Sequence, residues 1–279
     1  MKKYIRLLRV KHYIKNILIF IPLFFGCSVF DTAKLEKALL GFVSFSLLSS
    51  SVYILNDWQD IDKDRRHPIK KHRPLTSGTI SPERAKIIML ICFCAAMAVS
   101  WYLGNLDGVI YLMIYWGLNI AYSMGLKDRP IVDIIILASG FVIRILYGGI
   151  ITDIAISKWM YLVVITGSFC MVLGKRKNEL KVQNDTRDVL KYYNEAFLDN
   201  NMYVCAALTD VFYALWAMEM VNSSIIWTVP VFIIILMRYS LDIEAASDGD
   251  PVEILFQDKI LIIIVLVYTI CIFTFLYML

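Results

Sequence analysis

Nine stretches of this 279-residue chain read as long and apolar enough to cross about 30 Å of hydrocarbon, a span that takes about 20 residues of helix. They run over 13–30, 38–55, 85–103, 108–124, 131–151, 159–174, 202–221, 225–241 and 259–279. The sixth is short, and the seventh carries Asp210 and Glu219. A bilayer core offers no water to backbone amides, so each crossing segment must satisfy its own peptide groups as a helix. The expected fold class is therefore an all-α membrane protein, a bundle of about nine transmembrane helices. Composition agrees, with 59% apolar or aromatic residues, 19% charged and a mean hydropathy of +0.64. Soluble chains average roughly half apolar and a quarter charged, so a cytosolic enzyme, a secreted disulfide scaffold and a disordered regulator are excluded.

The basic residues set the orientation. With the N-terminus cytoplasmic, one side collects six Lys/Arg before Asn16, eight over 57–86, Lys127 and Arg129, six over 175–191, and Arg238 with Lys259. That places 24 of the 28 cations on one side, leaving Lys34, Lys37 and Lys158 opposite and Arg144 inside the fifth span. The excess obeys the positive-inside rule and predicts a multi-pass plasma (inner) membrane protein with its active-site loops in the cytoplasm. The two long loops, 57–84 and 175–201, fall on that face. The chain is expected to form a single domain over 1–279, as a monomer or a homo-oligomer. Residues 1–12 alternate cations with Ile5 and Leu8 and are expected to lie on the membrane surface as an amphipathic helix; a signal peptide is the alternative. The six cysteines form no C-x-x-C pair and are expected to fill core space. His12, His67 and His72 have no zinc-ligand spacing. A net charge of +4, explained by orientation, gives no reason to expect nucleic-acid binding.

The most informative stretch is Asn56-Asp57-Trp58-Gln59-Asp60-Ile61-Asp62-Lys63-Asp64, where the second span leaves the membrane. If helix continues through it, Asn56, Asp57, Asp60 and Asp64 share an arc of about 100°, with Asp62 nearly opposite. Three carboxylates on one face repel one another unless a hard cation lies between them, and Mg²⁺ is held by a few carboxylates together with substrate phosphates. The sequel Arg65-Arg66-His67-Pro68-Ile69-Lys70-Lys71-His72-Arg73 supplies cations for phosphate oxygens, Arg65 and Arg73 among them. The pair of runs predicts a site for a Mg²⁺-bound diphosphate; a solvated acidic helix end beside a lipid-contacting basic run is the alternative.

N-D-x-x-D-x-x-x-D at the cytoplasmic end of the second of nine helices resembles the first signature of the UbiA superfamily of intramembrane prenyltransferases. Four further stretches resemble that superfamily's polyprenyl-phosphate phosphoribosyltransferase branch. Arg9 to Asn16 resembles its opening R-x-x-x-x-x-K-N. Tyr122-Ser123-Met124-Gly125-Leu126-Lys127, with Asp133 and Gly140-Phe141-Val142-Ile143-Arg144, resembles its middle motif. Gly174-Lys175-Arg176-Lys177-Asn178-Glu179-Leu180 resembles its third, and Gly249-Asp250-Pro251-Val252-Glu253 its last loop. The wider superfamily carries a second Asp-rich motif after the sixth helix. Here that place reads Lys-Arg-Lys-Asn-Glu, better suited to additional phosphates than to a second metal, with Asp185 and Asp188 as a displaced alternative.

The resemblance implies a bundle around a central cavity, a polyprenyl chain in a lateral apolar groove, and Mg²⁺ as cofactor. It implies transfer of 5-phosphoribose from phosphoribosyl diphosphate to a polyprenyl phosphate, a step toward cell-envelope polysaccharide precursors. On that reading Asp57, Asp60 and Asp64 hold the metal, with Glu179 as a further ligand or ribose acceptor. Asn56 and Tyr122 hydrogen-bond the donor, and Lys127, Lys175 and Arg176 contact phosphate. Arg144 and Asp133 share one azimuth of the fifth span, and Arg144 is marked as functional because a guanidinium inside a span is costly. Lys15 and Asn16, with Arg9 and Lys11, either clamp the lipid phosphate or anchor the chain to anionic lipid. Asp210 and Glu219 either line the cavity or pair structurally. The alternatives are a prenyltransferase acting on an aromatic or other small acceptor and, more remotely, a secondary transporter, for which no inverted repeat is apparent.

Overall fold

A computed structural model describes residues 2–66, 70–182, 188–244, 254 and 257–278. All nine apolar stretches are helical in it, and the described residues include no strand. The α-helices are α1 Lys2–Leu7, α2 Ile21–Phe25, α3 Thr32–Gln59, α4 Ile61–Arg66, α5 Pro82–Tyr102, α6 Leu106–Ser123, α7 Val132–Thr152, α8 Lys158–Val182, α9 Glu195–Glu219, α10 Val229–Glu244 and α11 Lys259–Tyr277. Polar residues define many of the starts. Asp31 accepts from the N–H groups of Ala33 and Lys34 to cap α3, and Asn105, Asn194 and Asp258 cap α6, α9 and α11 in the same way. Ser81 caps α5, which begins on Pro82.

Among the described residues, five helical segments are long and apolar enough to cross a membrane by length and composition: α3, α5, α7, Ser223–Glu244 and α11. The other four apolar stretches are helical but differ in kind. The first begins as a 3-10 helix over Val10–Phe20 and passes into the short α2 at Pro22. Helix α6 has 18 residues and includes Asp107 and Asn119. Helix α8 runs past the apolar stretch through Lys175–Lys181, so the basic segment expected as loop begins as two turns of helix. Helix α9 carries Glu195, Asp199, Asp210 and Glu219. The expected surface helix over 1–12 is also shorter: α1 stops at Leu7, which is fully buried beside Ile54, Leu75, Ile80 and Ala85, and Arg9 turns the chain in a left-handed conformation (φ 51°, ψ 46°).

The chain divides into two compact units, residues 1–126 with 143–155 and residues 127–142 with 156–279. In the first, the core gathers Phe45, Leu48, Val52, Ala96, Leu112, Tyr115, Ile143, Tyr147 and Ile151 around Ile19. Five buried serines line α3 (44, 46, 49, 50 and 51), and the Ser44 hydroxyl donates to the Ala96 carbonyl at 2.8 Å. Small and hydroxylated residues let helices approach where hydrophobic burial alone discriminates little between protein and lipid. Gly148 is the tightest case: a methyl group there would stand 2.2 Å from the Ile19 carbonyl oxygen. Gly148→Ala is therefore expected to destabilise the protein by about 1–3 kcal/mol, since backbone cannot rotate away as a side chain does. Thermal unfolding in detergent checks this, and an unchanged midpoint would refute the close packing of α7 on the 3-10 segment.

In the second unit, α8 and α9 pack through Cys170, Val172, Leu173, Leu198 and Met202, joined by Tyr239, Ile243 and Leu261. Gly174 admits Ile243, whose Cδ1 would lie 2.3 Å from an added methyl. Of the six free cysteines, Cys92 and Cys170 are buried as expected of core-filling residues, whereas Cys27 and Cys94 are on the protein surface.

Candidate active site

The acidic motif of the first unit stays on one helical face despite a local break. Asp60 leaves regular helix between α3 and α4, yet its N–H donates to the Asn56 carbonyl at 3.0 Å and its own carbonyl accepts from Asp64 N–H at 2.8 Å. Because the i to i−4 pattern survives, Asp57 and Asp64, two turns apart, face the same way and are both buried. Asp62 points outward and pairs with Arg65 at 3.1 Å. Arg65, expected to meet substrate phosphate, is thus turned to solvent with Asp62, because it follows the outer side of the same helix.

Arginines complete the acidic face. Arg73 Nη1 lies 3.1 Å from Asp57 Oδ1 and 2.5 Å from Asp64 Oδ2. Arg9 donates to the same Asp57 oxygen and lies 4.9 Å from the Tyr53 ring centroid. Asp60, half-buried, sits at the helix break beside this pair. Among the described residues no group of three or more His, Cys, Asp or Glu gathers closely enough to hold a metal. What the structure brings together is two carboxylates with one cationic group between them. Of the three carboxylates expected to gather, Asp57 and Asp64 are the pair brought together; two carboxylate oxygens fit a hard divalent ion whose remaining ligands come from substrate phosphates and water. Asn56 accepts a hydrogen bond from the Ser123 hydroxyl, which ties the acidic helix to the end of α6 beside the half-buried Tyr122.

Arg144 is buried in the same unit. Its Nε donates to Asn16 Oδ1 at 2.8 Å, its Nη2 to the Tyr115 hydroxyl at 3.2 Å, and its guanidinium lies 5.0 Å from the Phe45 ring centroid. Asn16 is itself fully buried and donates to Ser46 Oγ at 2.9 Å. Asn16 is therefore an interior tie for Arg144 and not a surface clamp, while the neighbouring Lys15 remains half-buried. A guanidinium inside a span finds its polar company here in amide, phenol and aromatic faces.

In the second unit, Asp133 at the start of α7 is fully buried. It accepts from Arg176 Nε at 2.7 Å and from the Tyr193 hydroxyl at 2.6 Å, and Arg176 also pairs with Glu179. Burial and the Asp133 carboxylate push the Tyr193 phenol up to about 12. Tyr193 Oη in turn accepts from Ile131 N–H at 2.6 Å, holding a β-branched residue at φ 68°. Left-handed backbone of this kind costs roughly 1–3 kcal/mol and persists where surroundings over-determine it. Arg176, expected to fork onto a substrate phosphate, is instead enclosed with no exposure, and a Glu179 oxygen expected for metal is engaged by it. Lys127 and Lys175 are half-buried, Lys127 on the 3-10 turn Leu126–Asp128 and Lys175 in α8.

Several polar partners had no signal in residue spacing. Lys177, buried in α8, pairs with Asp199 of α9 and Glu244 of α10, and Lys181 reaches Glu244 at 2.7 Å. Tyr193 and Ser123 likewise act through positions distant in sequence. Asp210 is half-buried with Oδ1 making no hydrogen bond, and Glu219 is exposed. His67, Asp185 and the segment 249–253 lie outside the described residues.

Comparison with known proteins places this geometry in context. The UbiA prenyltransferase family matches residues 19–257. The chain is similar to the decaprenyl-phosphate phosphoribosyltransferase of Mycobacterium tuberculosis, 31% identical across 95% of this chain and 91% of that one. It is also similar to the enzyme of that name from Mycolicibacterium smegmatis, 33% identical across 95% of this chain and 89% of that one. Among solved structures, a UbiA homolog from Archaeoglobus fulgidus bound to DMAPP and Mg²⁺ superposes with a TM-score of 0.77 at 21% identity, covering 99% of this chain and all of the other. The helical fold, the buried aspartates of α3 and α4 and a match running through most of the nine apolar stretches agree: the chain is an all-α, multi-pass membrane enzyme, a transferase of the UbiA prenyltransferase family.

Proposed function

We propose that the chain transfers 5-phosphoribose from phosphoribosyl diphosphate to a polyprenyl phosphate, releasing diphosphate. The observation that carries this is similarity over nearly the full length to phosphoribosyltransferases of a decaprenyl phosphate, at 31–33% identity. The buried Asp57 and Asp64 beside Arg73 supply matching chemistry. In the reaction the bond from ribose C1 to the diphosphate oxygen breaks, and a bond from C1 to the lipid phosphate oxygen forms. A phosphate monoester has a second pKa near 6, so the acceptor is anionic at neutral pH and requires no general base.

Asp57 and Asp64, with Asp60 beside them, would hold Mg²⁺. When bound, that ion neutralises charge on the leaving diphosphate. Arg73 contacts phosphate oxygens, and Asn56 and Tyr122 orient the donor; for Lys127 and Lys175 the phosphate role rests on the family resemblance. In the second unit, Asp133, Arg176, Tyr193 and Glu179 fix the start of α7 against α8. Catalysis is then positioning together with preorganised charge. The one-sided distribution of 24 of 28 cations supports a plasma (inner) membrane location with the acidic site facing the cytoplasm.

Proteoliposomes holding the chain, polyprenyl phosphate and Mg²⁺ are expected to move label from [¹⁴C]phosphoribosyl diphosphate into solvent-extractable lipid, and to stop when the lipid phosphate is omitted. No lipid label, with prenyl diphosphate consumed against an aromatic acceptor, would overturn the proposal in favour of prenyl transfer.

A further inference from the structure

The apolar socket that receives Leu7 also assembles a charged rim in the first unit. Leu7, at the end of α1, is buried with Ile54 of α3 and with Leu75, Ile80 and Ala85. Ala85 stands in the first turn of α5, so α1 lies against that turn. The other residues of α1, Lys2, Lys3, Tyr4, Ile5 and Arg6, are all exposed. On either side of Ala85, Arg84 and Lys86 are exposed as well, and Lys86 Nζ lies 4.3 Å from the ring centroid of Trp58, near the end of α3. Lys3 Nζ lies 5.4 Å from the Tyr4 ring centroid. Residues 2–6 and 83–86 therefore supply five cations and one acid, Glu83. Among them stand Tyr4, Ile5, Trp58 and Ile87, each 38–59% exposed.

Exposed rings and branched aliphatic side chains are poorly matched to water, and so is a crowd of like charges. Both are matched at the edge of a bilayer, where apolar side chains enter the acyl boundary while cations meet headgroup phosphates. A zwitterionic headgroup brings its own cation with each phosphate and leaves the rim's excess positive charge uncompensated. An anionic headgroup compensates it, and clusters of about four to eight Lys/Arg beside a spanning helix attract such lipids. We propose that this rim is a binding site for the headgroup of an anionic glycerophospholipid, gripped between α1 and the start of α5. A lipid held there fastens α1 over its socket and anchors the N-terminal segment to the membrane surface. The site makes no use of the transfer reaction and stands whatever group the protein transfers.

The test uses the full chain in phosphatidylcholine nanodiscs that carry a minor fraction of lipid with dibrominated acyl chains, which quench nearby tryptophan. Subtracting the signal of the Trp58→Phe protein isolates Trp58 from the chain's other tryptophans. At low salt, brominated phosphatidylglycerol is expected to quench Trp58 at about a tenth or less of the mole fraction that brominated phosphatidylcholine requires, and the difference should fade as salt screens the rim. Lys86→Gln is expected to weaken the anionic preference roughly fivefold, and the triple variant Lys2→Gln, Lys3→Gln, Arg6→Gln to abolish it, since each cation near the surface contributes about that factor. Lys191→Gln, which removes a 75% exposed cation from the second unit, should leave the preference unchanged. These replacements are on exposed side chains, and an unaltered size-exclusion profile checks that each variant is folded. Equal quenching by the two lipids, a preference retained by the folded triple variant, or an equal loss in Lys191→Gln would overturn the site. So would displacement of phosphatidylglycerol by polyprenyl phosphate at equal mole fraction, which would assign the rim to the acceptor lipid. No donor or acceptor is turned over in the quenching arms, so failure of the lipid-labelling assay and failure of this site are read separately.

Discussion

Asp57→Asn is expected to cut transfer of phosphoribose to lipid by roughly 10²- to 10³-fold, the loss found when one preorganised electrostatic group is removed from a transition state. The substitution keeps the shape of a side chain that is 2% exposed, so the packing of α3 should survive. It removes the charge shared by Arg9 and Arg73 and one of the two buried carboxylates offered to a cation. Steady-state rates in proteoliposomes, with protein content matched by size-exclusion profile, check the prediction. Asp62→Asn serves as the comparison, since Asp62 lies on the opposite helical side with an 88% exposed carboxylate, and its rate should stay within about twofold of wild type. An Asp57→Asn protein retaining more than a tenth of the wild-type rate would remove Asp57 from the reaction.

Arg176→Ala is expected to cost about 3–5 kcal/mol of stability, because it strands the fully buried Asp133 carboxylate and withdraws the partner of Glu179. For a chain of this size the apparent unfolding midpoint in detergent should fall by roughly 10 °C. Replacing both charges, as in Arg176→Met with Asp133→Asn, should restore part of the loss: an amide still accepts from the Tyr193 hydroxyl, and no bare carboxylate remains at position 133. If Arg176 instead served mainly as a phosphate ligand, Arg176→Ala would unfold within about 2 °C of wild type while losing activity. The scan therefore separates a guanidinium that organises the protein from one that meets substrate.

The contrast between these arginines shows how far residue pattern reaches. Helical periodicity placed Asp57 and Asp64 on one face and Asp62 on the other, and hydrogen bonding through Asp60 preserves that arrangement across the break. The basic run marked Arg65 and Arg73 as phosphate ligands and the family resemblance marked Arg176, because a sequence records a charge but not its partner. Arg65 faces outward with Asp62, Arg73 bridges two buried carboxylates, and Arg176 is enclosed between Asp133 and Glu179. Tyr193 went unmarked for the same reason: its two hydrogen bonds reach Ile131 and Asp133, about sixty residues away, and no local spacing encodes them.

By itself, then, the sequence determined that the chain is helical, belongs in a bilayer and carries a one-faced acidic motif followed by a basic run. These properties follow from short-range physics: backbone amides need partners in hydrocarbon, and helices repeat every 3.6 residues. Only the tertiary structure decided which charges neutralise one another. It turned Asn16 and Arg144 into an interior tie, stopped α1 at Leu7 so that Arg9 reaches Asp57, and closed the network of Asp133, Arg176, Glu179 and Tyr193. The physical reason is that an ion pair depends on distance and desolvation, and both are set by packing between segments far apart in the chain.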